Sequence, residues 1–408
     1  MTDMRILQIG PVLPEWGGAD TGGIATHLTG LATHLVQRGH TIGVLADNRP
    51  YESAAWPAMC DGVSVYGVRD FTGPHRLGAL AAPSAWAGIV KAHGELGRIG
   101  SARWVATKVA AYRSVINAFR PEVIHVHTLE ARCSFATVTH PARTPIVATA
   151  HSTHYVEFAG ADDVETRSAV VSANLARARD VIFVSEYLRR RYIEVFGDPE
   201  ASRRDHVLLN PIEVGASGSV DRAASRAALG IPGDERVVLF VGNLIPRKDP
   251  ATLIRALAAL DRRGERVVAY IAGEGPDRQA LETLAYAEGL AECARFVGRK
   301  SQNELRQLYG MADLLVFPSL MESFGLVALE AMLHGLPVVG SPEVLPEVVP
   351  ASCGIQVAPG DSDALAEALS TGLSRNWDHG AIRAHALEFD WRTRIPAFEQ
   401  VYADALTG

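Results

Sequence analysis

The chain alternates short β-rich runs with helical stretches, and it does so in two series. RILQI (Arg5 to Ile9) leads into a glycine-rich loop, GPVLPEWGGADTGG (Gly10 to Gly23), after which Ile24, Leu28, Leu31 and Leu35 recur at helical spacing. Gly39 stands where that helix would stop, and TIGVL (Thr41 to Leu45) is the next strand. VIHVH (Val123 to His127), PIVATAH (Pro145 to His151) and VIFVS (Val181 to Ser185) continue the pattern. It restarts at VVLFVG (Val237 to Gly242), with a loop and a helix beginning near Pro250, a good first-turn residue. VVAYIAG (Val267 to Gly273), ARFVG (Ala294 to Gly298), LLVFP (Leu314 to Pro318) and PVVG (Pro337 to Gly340) follow. This alternation predicts mostly parallel sheets with helices on both faces.

Two series imply two doubly wound α/β domains, and 408 residues exceed the size at which one core usually stops growing. The boundary falls near Leu209 to Gly218, which holds Pro211 and two glycines. The expected domains are therefore 1–209 and 210–390, with a last helix over about 391–408 that can pack back on the first. Ligands of such sheets sit beyond the carboxyl ends of the strands, so the expected site is a cleft between the two. At strand ends stand the Gly10 to Gly23 loop, His127, His151, Gly242 to Asp249, Gly273 to Pro276, and Pro318 to Gly325.

Composition removes several function classes. A net charge of −7 argues against a general nucleic-acid binder. Cys60, Cys133, Cys293 and Cys353 form no CxxC pair, which argues against a zinc site or disulfide framework and suits a reducing cytoplasm. MTDMRILQIG is too soon broken for a signal peptide, and no run of about 18 apolar residues is present to span a membrane. A cytoplasmic location is expected. No GxxxxGK[ST] occurs and the first loop lacks GxGxxG, so Walker-type hydrolases and dinucleotide dehydrogenases are disfavoured.

Two stretches carry chemistry. GNLIPRKD (Gly242 to Asp249) lies between strand and helix and places Arg247 and Lys248 by a helix N-terminus, an arrangement suited to a phosphate or diphosphate. An exposed basic loop is the bland alternative. PSLMESFGLVALEAMLHGLPVV (Pro318 to Val339) sets Glu322 just past a strand and Glu330 inside an apolar helical run, with seven residues between them. Leu326, Leu329 and Leu333 would form the apolar face of that helix. A carboxylate at Glu330 can accept from the vicinal hydroxyls of a ribose, and Glu322 from a second sugar nearer the helix start. Equally, Glu322 can be a first-turn acid favoured by the helix dipole and Glu330 a solvated residue. Spacing alone leaves both readings open.

VGNLIPRKD, IAGEGP, RFVG and the Pro318 to Val339 block resemble the nucleotide-sugar half of retaining glycosyltransferases of the GT-B fold, glycosyltransferase family 4 in particular. GGI (Gly22 to Ile24), RGHTIGVL (Arg38 to Leu45), VIHVHT before TAHST, and the final FDWRTRIPAFEQVY extend the resemblance over nearly the whole chain. It implies two Rossmann-like domains facing across a cleft. It further implies a hexosyltransferase moving sugar from a UDP or GDP sugar to a hydroxyl of a small-molecule, glycan or lipid-linked acceptor, with retention and without a metal or other cofactor.

Carried over residue by residue, the resemblance implies that Glu322 contacts the transferred sugar and His151 lies beside it, that Glu330 binds the ribose, and that Ser323 and the backbone of Phe324, Gly325 and Leu326 hold sugar and phosphate. Lys248, with Arg247, would neutralise the leaving diphosphate. Gly23 would let the first loop approach it, and Arg299 and Lys300 would face the base. Asn243 stands where the family often has arginine, and Asn210-Pro211 where it often has Asn-Gly. Asn243 donates hydrogen bonds without adding charge. The usual proposal for such enzymes is front-face attack without a firm protein nucleophile, so the protein supplies positioning and charge stabilisation.

Four further features have simpler readings. DSD (Asp361 to Asp363) reads as a helix cap rather than a metal site. LRRRY (Leu188 to Tyr192) reads as a helix C-terminus, and His334, before Gly335, as a partly cationic imidazole at another helix end. Around Phe71 to Arg120, with His75, Trp86, Arg98, Arg103, Trp104, Lys108 and Arg113, a basic amphipathic helix could make weak peripheral contact with an anionic membrane; an ordinary solvated face is the simpler reading. Two alternatives to transfer stay open, a nucleotide-sugar-binding protein without turnover and a nucleotide-sugar epimerase of the same fold. Oligomeric state is not encoded in these motifs.

Overall fold

The computed structural model describes residues 3–18, 22–46, 57–67, 102–139, 144–153, 161–197, 203–215, 222–341 and 345–407. The expectations for His75, Trp86 and Arg98, and part of the Gly10 to Gly23 loop, lie outside these residues. The chain forms two compact units, one of Met1–Pro211 with Trp391–Gly408 and one of Ile212–Asp390.

The first unit is built on an eight-stranded sheet: β1 (Arg5–Gly10), β2 (Thr41–Ala46), β3 (Ala58–Cys60), β4 (Val63–Gly67), β5 (Val123–Val126), β6 (Ile146–Ala150), β7 (Asp180–Phe183) and β8 (Arg204–Val207). Their order is β3-β4-β2-β1-β5-β6-β7-β8. Every pairing is parallel except β3 with β4, a hairpin turned at Asp61 and Gly62, both with positive φ. The Gly23–Gln37 helix packs Leu28, Leu31 and Leu35 on this sheet, and Gly39 ends the turn after it with φ +96°. The Trp391–Thr407 helix completes the same core with Trp391, Ile395, Phe398, Val401, Tyr402 and Ala405. Its Glu399, 1% exposed, takes two bonds from Arg38 (2.7 and 2.8 Å) and one from His40 Nε2 (3.0 Å). Those bonds and charges outweigh burial, which alone would raise the carboxyl pKa, and hold it below the usual range.

The second unit has a six-stranded, wholly parallel sheet: β9 (Val237–Val241), β10 (Val268–Ala272), β11 (Ala294–Gly298), β12 (Leu314–Phe317), β13 (Val338–Gly340) and β14 (Gly354–Gln356). The order β11-β10-β9-β12-β13-β14 reverses direction between β9 and β12. A crevice opens outside the carboxyl ends at such a switch point. In the first unit the reversal lies between β1 and β5.

Two local expectations change. The arginines of the Leu188 to Tyr192 run lie within the Glu186–Phe196 helix rather than at its end, where Arg189 and Arg190 pair with Glu186 and Arg191 with Glu194. His334 is not cationic: burial, then the nearby Arg306 and Arg383, lower its pKa to about 4. Asp361 accepts from the Ala364 N–H at 2.8 Å and so caps the Ser362–Ser374 helix. All four cysteines are free thiols, and no described helix is long and apolar enough to cross a membrane.

Candidate active site

At the switch point of the second unit, the loops after β9 and β12 bring Arg247, Lys248 and Glu322 together. The β9 loop closes through a short 3-10 turn (Pro246–Lys248), and Asp249, in a left-handed conformation, caps the Pro250–Arg262 helix through the Thr252 N–H. Leu320 N–H donates to the Arg247 carbonyl at 2.9 Å, tying the two loops. Lys248 Nζ pairs directly with Glu322 Oε2, and Arg247 approaches the same oxygen at 3.9 Å while donating to the Met321 carbonyl. The Ser323 N–H adds a bond to Glu322 Oε1 at 3.2 Å. Burial pushes the Glu322 pKa up, but the charge and bond of Lys248, with Arg247 and Ser323, prevail and hold it low. Glu322 is therefore an anion across the neutral range.

The neighbouring β10 loop is pressed against this one. A Cβ on Gly275 would lie 2.2 Å from the Leu244 carbonyl oxygen, so only glycine allows the close approach. Asn243 is exposed at the start of the β9 loop. Arg299 and Lys300 follow β11, with Arg299 exposed and Lys300 3.2 Å from Glu304 in the capping box of the Gln302–Met311 helix.

Gly325 (φ +81°) precedes the Leu326–Leu333 helix and leaves that end without a side-chain cap. The dipole of this end, and the N–H groups it presents, favour an anion. The Phe324 side chain is buried against Phe389 (6.4 Å between centroids), so its part in any ligand contact falls to its backbone. The helix buries Ala328, Leu329, Ala331 and Met332, while Leu326 and Leu333 are only half-buried. Glu330 is not solvated: its Oε2 accepts from the Tyr309 hydroxyl at 2.9 Å. Burial raises its pKa, and the Tyr309 bond acts the other way. Tyr309 was not singled out from sequence, because nothing in LRQLYGMAD marks a tyrosine that will meet a helix twenty residues on.

His151 and Gly23 belong to the first unit. His151 follows β6 with its Nε2 3.3 Å from His127 Nδ1, and His127 Nε2 is 3.2 Å from Gln8 Oε1. His27, from the Gly23–Gln37 helix, stacks edge-on against His151 at 4.9 Å. Gly23 is the first residue of that helix, exposed, and residues 19–21 before it are not described.

These features coincide with the sequence relationships. The family model for glycosyl transferases group 1 matches residues 221–384, and that for glycosyltransferase family 4 matches residues 21–215. An uncharacterized glycosyltransferase of Methanocaldococcus jannaschii is 32% identical over 381 residues, covering 90% of this chain and 89% of the relative. The chain is a glycosyltransferase. The enzyme is also 29% identical to a D-inositol 3-phosphate glycosyltransferase of Corynebacterium diphtheriae, over 99% of this chain and 96% of that one. Among solved structures, Anabaena HepE in complex with UDP and glucose matches with a TM-score of 0.71 and 22% identity, over 98% of this chain and 100% of the other, a likeness of fold. The enzyme thus belongs to the hexosyltransferase class and has the GT-B type of two parallel-sheet α/β domains.

Proposed function

We propose that this glycosyltransferase moves a hexosyl unit from a UDP or GDP sugar to a hydroxyl acceptor, with retention and without a metal cofactor. The observation that carries the reading is the cluster at the β9/β12 switch point: two cations, a partly buried anion beside them, an uncapped helix end and a second partly buried carboxylate about one turn into that helix. This sequence of charges suits a nucleotide sugar laid across it. Arg247 and Lys248 take the diphosphate, as do the N–H groups at Gly325 and Leu326. Glu330 takes the ribose diol, Glu322 and Ser323 the sugar hydroxyls, and Arg299 and Lys300 lie on the base side, with Asn243 beside the phosphates. His151 and Gly23 are assigned to the sugar and the diphosphate from the first unit.

Lys248 and Glu322 are held as an ion pair, and neither is poised as an acid–base catalyst. Lys248, with Arg247, stabilises the charge of the departing diphosphate, for which fixed cations in a sheltered site are effective, while Glu322 accepts from the sugar hydroxyls. UDP is supported by the complex reported for the Anabaena neighbour, and a phosphorylated polyol acceptor by the curated relative named for D-inositol 3-phosphate.

Thermal melting with UDP-, GDP-, ADP- and TDP-sugars tests the donor, since a ligand of the native state raises its stability with the logarithm of its excess over Kd. One base should stand out. No shift with any of them removes the reading. Proton NMR of the product's anomeric centre then decides retention, and full activity after exhaustive chelation decides metal independence.

A further inference from the structure

The first unit buries an unusual cluster. His27 lies within the core, its ring 5.4 Å from Trp391 and 5.7 Å from Phe398, yet among the described residues neither of its ring nitrogens has a hydrogen-bond partner. Leaving a buried polar group unpaired is costly, and an apolar ring would fill that place without the cost. The open side of His27 faces His127 and His151, at 5.6 and 4.9 Å between ring centroids. One nitrogen from each of the three rings lies within 4.8 Å of the others.

We propose that His27, His127 and His151 form a binding site for a divalent transition-metal ion of the zinc type, and that an ion there withdraws His151 from the transfer reaction. The second half rests on the assignment of His151 to the sugar. Two observations argue for the site. His127 Nδ1 and His151 Nε2 are 3.3 Å apart, and two ligand nitrogens on a tetrahedral zinc at about 2.0–2.1 Å stand about 3.3–3.4 Å from each other. Without an ion the same pair is a hydrogen bond; with one, both lone pairs turn to the metal, and His27 closes in by about an ångström. Second, Gln8 Oε1 accepts from His127 Nε2, which fixes the tautomer that offers Nδ1 as a ligand, as carbonyl and carboxylate acceptors do behind metal-bound histidines.

The donor set decides which ions fit. Three imidazoles suit Zn²⁺, Ni²⁺ or Cu²⁺, whereas Mg²⁺ and Ca²⁺ take oxygen ligands. Among the described residues no carboxylate joins the cluster, and Arg132 adds a positive charge near His127. The ion therefore needs an anion, hydroxide for example, in its fourth position, and His151, the outermost of the three at 9% exposure, is the side from which it enters.

The test uses the full chain, stripped with chelator and titrated with Zn²⁺ against a chromophoric chelator. One ion per chain is expected, with Mg²⁺ failing to compete. His27→Phe, which keeps the ring contacts and removes the nitrogens, should abolish binding. Gln8→Leu should weaken it about 10- to 100-fold, and it carries the test if the first variant does not fold by near-UV circular dichroism. Absence of stoichiometric zinc, or equal affinity in both variants, overturns the site. Transfer should be lost as the first equivalent binds and return on chelation; full activity with the site filled overturns the inhibitory role. The binding arm needs no donor or acceptor, so it stands or falls apart from the proposed function.

Discussion

Glu322→Gln separates two demands made on Lys248. The ammonium is paired with the Glu322 carboxylate, which Arg247 also approaches at 3.9 Å. An incoming diphosphate must share that cation with an anion beside it. The substitution keeps the shape but removes the charge and one of the two acceptors, because an amide nitrogen cannot accept from Lys248 or from the Ser323 N–H. Two unit charges about 4 Å apart interact by about 4 kcal/mol at an effective dielectric of 20. The pair is 16% and 14% exposed, so water at the opening screens part of this. A residual effect of about 1–2 kcal/mol corresponds to a roughly tenfold tighter Kd for the free nucleoside diphosphate. The transfer rate moves the opposite way: a hydrogen bond to a charged acceptor is worth about 1.5–3 kcal/mol, so losing its charge should slow transfer by about 10- to 100-fold. Calorimetry with the diphosphate identified by thermal melting reads the first effect, and the gain should shrink in high salt. Lys248→Met should weaken the same binding. Unchanged or weaker diphosphate affinity in Glu322→Gln would refute the idea that the two anions compete for Lys248.

Tyr309→Phe leaves the Glu330 carboxylate buried without its donor, a cost of about 1–3 kcal/mol. Steady-state kinetics should show a raised donor KM with kcat nearly unchanged, and a 2′-deoxyribose donor should be indifferent to the substitution; a purely structural tyrosine would affect both donors alike. Acid should destabilise the protein from neutrality downward. His27 and His125 titrate at about 3 when folded because they are buried, and His127 and His151 are shifted the same way, against 6.5 unfolded. Their stabilisation is present above pH 6.5 and is lost as pH falls towards 3, by about 1.4 kcal/mol per unit for each histidine still neutral in the fold. Denaturant melts between pH 7 and 4 measure the slope, and His27→Phe should make it shallower.

The central strands were legible because a strand buried on both faces must be apolar throughout, and RILQI, VVLFVG and LLVFP have few other places to go. The edge strands β3, β8 and β14 were not read, being short and mixed in polarity: AMC, RDHV and GIQ. The β3–β4 hairpin did carry a usable signal, the Asp61-Gly62 pair that turns it. In the candidate site, the order of charges along GNLIPRKD and the Pro318 to Val339 block showed which residues share a strand end. It could not show that Lys248 and Glu322 pair, since that depends on β9 and β12 being neighbours in the sheet. Tyr309 and Gln8 were invisible for a related reason: each acts through one partner far away in sequence, and neither residue type announces such a partner.

The sharing of one core by β1 and the Trp391–Thr407 helix sets an order of events during synthesis. The unit of residues 212–390 is contiguous and can close as soon as it leaves the ribosome. The unit begun first cannot, because Trp391, Phe398 and Tyr402 are among the side chains that seal it. At about 5–20 residues per second, the residues between Pro211 and Trp391 take about 10–40 s to make. For that interval the half that emerged earliest has an open apolar seam, with His40 and Arg38 still lacking Glu399. The newborn enzyme is thus exposed to chaperones and proteases at the end it made first, and a premature stop near residue 390 would spare the younger unit while leaving the older one unfinished.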